Sequence, residues 1–421
     1  MDKFVIHGGK KLNGKVEISG AKNSALALMP ASLLTSGISH LRNIPEVNDI
    51  YTMIKLLNVL GVHTEFKNHS LSLDSSNVRN QIAPYEHVKK MRASVYVLGP
   101  LLSRFGYAKV SLPGGCAWGP RPINLHIEAM KKLGAEIRIE EGYIIAKAKK
   151  LHGSKISFHT SSVGATGNAL MAASLAKGST LILNAAIEPE ISLLAKYLLQ
   201  MGAKIDGVGS TTLEIEGVDH LNPSEITNID DRIEAGTILI AGAITKGKIE
   251  IAYKNHEHIN LMLNKLEESG VNLSYRNELI LLDASNLSLR NINVSTAVFP
   301  GFPTDMQAQW TAYMSLASGI SKITDSIYQD RFNHVPELNR LGANIEVFNN
   351  SAFVTGVSSL KGAKVMSTDL RASASLVLAG LAASGVTEVL RIYHLDRGYQ
   401  RIEEKLKALG ADIDRVITTE Y

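Results

Sequence analysis

Several residues in this 421-residue chain have the types and spacing of reactive chemistry. Cys116 is its only cysteine, placed in Leu112-Pro113-Gly114-Gly115-Cys116-Ala117-Trp118-Gly119-Pro120-Arg121, a loop sequence with no apolar periodicity to bury a thiol. With a guanidinium five residues on, it reads as a thiol of thiolate character rather than as core. Lys22, in Ser19-Gly20-Ala21-Lys22-Asn23-Ser24, precedes an apolar helix over residues 25–34. It is either an anion site, where its charge joins free backbone N–H groups at a helix start, or a solvated lysine. Asp305, in Phe302-Pro303-Thr304-Asp305-Met306-Gln307, opens a helix that continues through Trp310 and Ser315. It is either an N-cap or a general base facing a hydroxyl.

Arg92, Arg121, Arg331, Arg371 and Arg397 stand at helix starts or in connecting loops. Guanidinium forks bind phosphate and carboxylate bidentately, so their convergence would suit a small, highly charged anion. Taken singly, an ion pair with a neighbouring aspartate such as Asp330, Asp369 or Asp396 is the simpler expectation. Ser161-Ser162-Val163-Gly164-Ala165-Thr166-Gly167 lacks both the Gly-Lys-Ser/Thr ending of a Walker loop and a full Gly-x-Gly-x-x-Gly. It is equally a diphosphate-binding turn or a capped helix start.

Composition narrows the classes. At 45% apolar and 20% charged residues, the chain is globular and long enough for more than one core. A net charge of +4 without runs of Lys and Arg points to small anionic substrates and away from nucleic acid. Apolar runs such as 372–387 fall short of a bilayer span and the first residues lack a signal-peptide core, so no membrane partner and a cytoplasmic location are expected. One cysteine forms no internal disulfide, and the 13 histidines show no metal-binding spacing, so no metal is expected.

The elements that must hold these residues repeat. Gly61, Gly134, Gly202, Gly270, Gly342 and Gly410 each end a helix and precede a strand, while Gly37, Gly106, Gly178, Gly247, Gly319 and Gly385 end a second, Ala-rich helix 23 to 28 residues earlier. The unit reads helix, strand, helix, strand, strand, six times over. The last copy lacks room for its final strands, and spare strands at 4–7 and 16–19 predict that the N-terminus completes it. Three units per domain, with a boundary near 228–231 and a site in the cleft between domains, is the natural division.

Taken together, these motifs resemble the UDP-N-acetylglucosamine 1-carboxyvinyltransferase family of enolpyruvyl transferases. The likeness rests on Gly20-Ala21-Lys22-Asn23, Pro113-Gly114-Gly115-Cys116, Gly119-Pro120-Arg121-Pro122, Ser162-Val163-Gly164-Ala165-Thr166, Asp231-Arg232-Ile233-Glu234, Asp305-Met306-Gln307-Ala308-Gln309 and Asp396-Arg397-Gly398-Tyr399. It implies an α/β fold of two inside-out barrel domains, each of three repeats of about 70 residues, with the active site in the interdomain cleft. Residues 22–229 would carry the Cys116 loop, and 1–21 plus 230–421 would carry Asp305 and Arg397.

The resemblance further implies that phosphoenolpyruvate donates its enolpyruvyl group to the 3-hydroxyl of UDP-N-acetylglucosamine, without a cofactor, at the first committed step of peptidoglycan synthesis. By that likeness Asp305 takes the hydroxyl proton and Cys116 is the acid at C3 of phosphoenolpyruvate. Lys22, Arg121 and Arg397 hold phosphate, Arg92, Arg331 and Arg371 support them, and Asn23 and Ile327 meet the sugar. Arg121, Pro122, Ile123, Asn124 and Leu125, with Thr160, Ser161, Ser162, Val163 and Gly164, line the nucleotide. Thr160 and Asn124 depart from the lysine and aspartate that relatives often carry there. The resemblance also implies that fosfomycin alkylates Cys116. Three other readings are the shikimate-pathway enolpyruvyl transferase, which lacks the Pro-Gly-Gly-Cys motif, a catalytically silent sugar-nucleotide sensor, and an RNA-end cyclase, which would need a more basic surface.

Overall fold

The computed structural model describes residues 2–89, 91–112 and 123–419. Every repeat-marking glycine except Gly247 has a positive φ, such as 100° at Gly61 and 71° at Gly106, where the chain leaves a helix through the left-handed region. In the fourth repeat Lys246 takes that conformation instead, at φ 53°. Gly247 is needed for a different reason: an added Cβ would come within 2.2 Å of the Leu12 carbonyl oxygen.

Among the described residues, six four-stranded sheets follow from the repeats, one strand more per unit than the sequence pattern predicts. In one of them Val294–Ser295 runs parallel to Ile320–Thr324, which pairs antiparallel with Ser351–Thr355, which pairs in turn with Asn344–Phe348. The additional strand is the parallel edge. At Ile82–Ala83 or Lys155–Ser157 it is too short to display an alternating pattern, which is why the sequence conceals it.

The N-terminus is divided between two sheets. Asp2–His7 lies between Val386–Leu390 and Asp412–Ile417, in the place that the hairpin's second strand occupies in the other sheets, and so completes the last repeat as expected. Asn13–Glu17 does not serve that repeat; it opens the fourth sheet, parallel to Lys248–Ala252. The same device appears at Glu225–Thr227, which follows the third repeat yet opens the first sheet beside Ile38–Arg42.

The chain divides into two compact units, Gly20–Ile229, and Met1–Ser19 with Asp230–Tyr421. Each has its own apolar core with helices inside and sheets outside. In the second unit Arg232–Ile244, Gln307–Met314 and Leu370–Ala382 pack on one another and are buried on nearly every face. Their Ala, Gly and Ser content lets the helices approach closely, and a helix apolar all round has no solvent side. In the first unit Val163–Ala173 packs on Leu98–Phe105, while Lys22–Ala31 meets the 3-10 helix Arg92–Val97. The sheet strands alternate buried and exposed residues, as in Thr212–Glu216, so one face covers the helices. Among the described residues no helix is long and apolar enough to cross a membrane.

Candidate active site

Most of the candidate residues lie where a central helix begins. In the first unit Lys22 is the first residue of its helix, Arg92 starts the 3-10 turn ahead of Leu98–Phe105, and Ser162 caps Val163–Ala173. In the second unit Asp231 caps Arg232–Ile244, Asp305 sits in the 3-10 turn Thr304–Met306 ahead of Gln307–Met314, and Arg371 is the second residue of Leu370–Ala382. The repeat thus presents the same backbone feature, a helix start with its positive dipole end, three times per unit.

In the second unit, Asp305 is the focus. Arg331 Nη1 reaches its Oδ1 at 2.8 Å and Arg371 Nη2 its Oδ2 at 2.8 Å. Both guanidiniums are almost wholly buried, whereas the carboxylate keeps 27% of its side-chain surface exposed. The N-cap alternative for Asp305 fails, since neither its 3-10 turn nor the helix after it has a side-chain cap. Arg371 does not pair its guanidinium with the adjacent aspartate either. Asp369 accepts from the backbone N–H of Arg371 at 2.8 Å as a helix cap, which leaves the Arg371 guanidinium to Asp305. Asp396 is gripped by both terminal nitrogens of Arg415, at 2.7 and 3.0 Å.

Burial by itself would push the Asp305 carboxyl up, but the charges and hydrogen bonds of Arg371 and Arg331 outweigh it and hold the group well below the usual carboxylate range. Arg331 Nη1 also donates to Thr304 Oγ1 at 3.0 Å, and Thr304 donates to Asp325 Oδ2 at 2.7 Å. Asp325 Oδ1 accepts the backbone N–H groups of Ile327 and Tyr328 at 3.0 and 2.9 Å, which fixes the turn carrying half-buried Ile327. Arg397 is half-buried at the end of the 3-10 helix Ile392–Arg397.

In the first unit, Lys22 is not a solvated lysine. Its Nζ lies 3.1 Å from Asp49 Oδ2, and the two side chains are 9% and 5% exposed. Ala21 provides no side-chain cap for this helix. The close approach that Gly20 allows is to protein: an added Cβ would fall 1.7 Å from the Asn43 carbonyl oxygen. Asn23 is half-buried beside Lys22. Arg92 is half-buried and its charge is felt at His126.

Ser162 Oγ accepts from the Ala165 N–H at 3.3 Å, so this turn is a capped helix start. Ser161, Val163 and Gly164 are half-buried and Thr160 is exposed. Gly164 abuts His126, whose ring would lie 3.0 Å from an added Cβ. Ile123 is half-buried, Asn124 exposed at the start of Asn124–Lys132, and Leu125 buried. Cys116, Arg121 and Pro122 lie outside the described residues.

Sequence reasoning missed Asp49 as the partner of Lys22, because a distant aspartate inside a helix carries no motif. It also missed buried His126, which meets Asn168 Nδ2 through Nδ1 at 2.8 Å. Burial, then the charge of Arg92, lowers the His126 pKa to about 3, and burial takes His334 down to about 4 against the opposing pull of Asp369. Unfolded histidine titrates near 6.5, so below that pH the unfolded chain binds protons that these folded imidazoles refuse. Stability therefore falls as pH drops from about 6.5 toward 4. Melting temperatures across that range check this, and His334→Gln should flatten part of the slope.

Comparison with known proteins places this arrangement. The enolpyruvyl transferase NikO from Streptomyces tendae superposes with a TM-score of 0.89 at 26% identity, covering 99% of each chain. EPSP synthase from Acinetobacter baumannii shares the fold at 16% identity and TM-score 0.76, covering 99% of this chain and 100% of that one. The family model for EPSP synthase (3-phosphoshikimate 1-carboxyvinyltransferase) matches residues 6–406, and the chain belongs to that family of carboxyvinyl transferases. Among its relatives, the UDP-N-acetylglucosamine 1-carboxyvinyltransferase of Chloroherpeton thalassium is 59% identical over 424 residues, spanning 100% of this chain and 99% of the relative. The protein of the same name from Chlorobium limicola is 57% identical, spanning 99% and 98%.

Proposed function

We propose that this protein transfers the enolpyruvyl group of phosphoenolpyruvate to the 3-hydroxyl of UDP-N-acetylglucosamine and releases phosphate, the first committed step of peptidoglycan synthesis. It acts in the cytoplasm on two small anions, with no nucleic-acid or membrane partner. The sugar oxygen adds to C2 of phosphoenolpyruvate as C3 gains a proton, giving a tetrahedral phospho-ketal. Loss of phosphate from C2 and of a proton from C3 leaves the enolpyruvyl ether.

The observation that carries this reading is one partly exposed carboxylate held by two buried guanidiniums, in a chain that aligns end to end with relatives bearing that name. Asp305 accepts the hydroxyl proton. While Arg331 and Arg371 hold it well below the carboxylate range it is a weak base, so it gains strength only when substrate anions draw on those cations. Lys22, Arg121 and Arg397 hold phosphate, supported by Arg92, Arg331 and Arg371, and Cys116 serves as the acid at C3. Asn23 and Ile327 meet the sugar. Residues 121–125 and 160–164 line the nucleotide, where exposed Thr160 and Asn124 alter detail rather than chemistry.

The test is phosphate release from phosphoenolpyruvate with UDP-N-acetylglucosamine offered beside shikimate 3-phosphate. Turnover with the sugar nucleotide alone is expected; turnover with shikimate 3-phosphate alone, or with neither, refutes the reading. Fosfomycin should inactivate the protein and add its mass at Cys116. Full activity after long exposure, with an unmodified thiol by mass spectrometry, counts against the role given to Cys116.

A further inference from the structure

Behind the Asp305 ion pairs lies a buried polar hub that the proposed chemistry does not use. Gln309 is wholly buried, and its Nε2 donates to the Asp305 backbone carbonyl at 2.9 Å. The same nitrogen reaches Thr237 Oγ1 and the Tyr399 hydroxyl, both at 3.2 Å, and those two oxygens are 2.9 Å apart. Tyr399 is 2% exposed, and the guanidinium carbon of Arg371 stands 5.3 Å from its ring centroid. One tyrosine therefore touches both supports of Asp305: its hydroxyl, with Thr237, holds the amide that ties the Asp305 backbone, and its ring backs the arginine that holds the Asp305 carboxylate.

We propose that Tyr399 is a positioning residue for Asp305, with Gln309 as its link: together they fix the distance between the Asp305 carboxylate and Arg371. This rests on the reading of Asp305 as the proton acceptor. A guanidinium over an aromatic face is attracted by the ring quadrupole, more so when desolvated, and three convergent polar groups in a dry site leave the amide one orientation. The arrangement draws on the helices Arg232–Ile244 and Gln307–Met314 and on the segment after Arg397, so no local sequence pattern encodes it.

Among the described residues, the charged and titratable groups bearing on the pair are few. Arg331 and Arg371 bear on Asp305, Asp231 at the start of Arg232–Ile244 bears on Arg371 and Tyr399, and Asp369 and His334 lie beyond the arginines. None of these is altered by changing Tyr399 or Gln309, so a movement of the Asp305 titration reports its distance from Arg371.

The experiment follows the Asp305 side-chain carboxyl by carbon NMR against pH in aspartate-labelled full-length protein, with Asp305→Asn identifying the signal. Tyr399→Leu removes platform and hydroxyl, and its titration midpoint should rise toward the ordinary carboxylate value of about 3.9. Tyr399→Phe keeps the platform and removes only the hydroxyl's hold on Gln309, so its midpoint should rise less than that of Tyr399→Leu. Gln309→Met, which severs the tie to the Asp305 carbonyl, should raise the midpoint too, and it carries the test if Tyr399→Leu does not fold. An unmoved midpoint in a folded Tyr399→Leu or Gln309→Met variant overturns the proposal, even if the variant is less active. The titration requires no turnover, so a protein that releases no phosphate would sink the functional reading and still leave this inference to stand or fall on its own.

Discussion

Asp305→Asn is expected to lower the rate of phosphate release about 10²–10⁴-fold, the usual worth of a positioned general base. Asparagine keeps the shape of the side chain, so the loss reports charge and basicity rather than a cavity. The same change removes the counter-charge shared by two guanidiniums that are 5% and 4% exposed, at a cost of about 3–5 kcal/mol for a broken buried pair. The stability gap should depend on pH in a definite direction. A carboxyl held below its unfolded value stabilises the fold above that value, and the contribution fades as pH falls through the folded one. Melting curves of the two proteins should therefore separate widely at neutral pH and approach each other in acid. Rates within tenfold of each other would remove Asp305 from the proposed chemistry.

The second large effect is expected at Lys22. Lys22→Ala withdraws a cation from Asp49, whose side chain is only 5% exposed, and should destabilise the protein by about 3–5 kcal/mol. It should also raise the KM for phosphoenolpyruvate about ten- to a hundredfold, since a hydrogen bond to a charged group is worth about 1.5–3 kcal/mol. The double change Lys22→Met with Asp49→Leu separates the two effects. An apolar pair of similar volume often replaces a buried ion pair at little cost, so the melting temperature should largely return while the KM does not. If the KM recovered together with the melting temperature, Lys22 would be a structural residue and not a phosphate holder.

How much of this was legible in the sequence depends on how local each feature is. The repeat was readable because glycines that end helices recur at positions such as Gly134, Gly202 and Gly270, and a left-handed helix exit is a property of one residue. Strands such as Thr212–Glu216 were readable from alternation. Parallel edge strands such as Ile82–Ala83 and Val294–Ser295 were not, since two residues carry no period. The same division governs the site. Lys22, Asp305 and Arg371 stand near helix starts that the sequence marks, but their partners are 26 to 66 residues away, and only the folded chain chooses between Asp369 and Asp305 for the Arg371 guanidinium. Gln309 and Tyr399 lay inside recognised motifs without any pattern to state their purpose, because their contacts cross from one repeat to another.

The strand Asp2–His7 is an inner member of its sheet, hydrogen-bonded on one side to Val386–Leu390 and on the other to Asp412–Ile417. During synthesis this strand emerges well before either of its partners and must wait, unpaired, for both. Residues 20–229 need nothing made after them to close their own sheets, since Glu225–Thr227 supplies the missing edge. The embedded unit is free to fold first on the ribosome, while the enclosing one must wait until residues 386–417 have been made. A deletion of the opening dozen residues would then act as a folding lesion in the half of the molecule that bears Asp305.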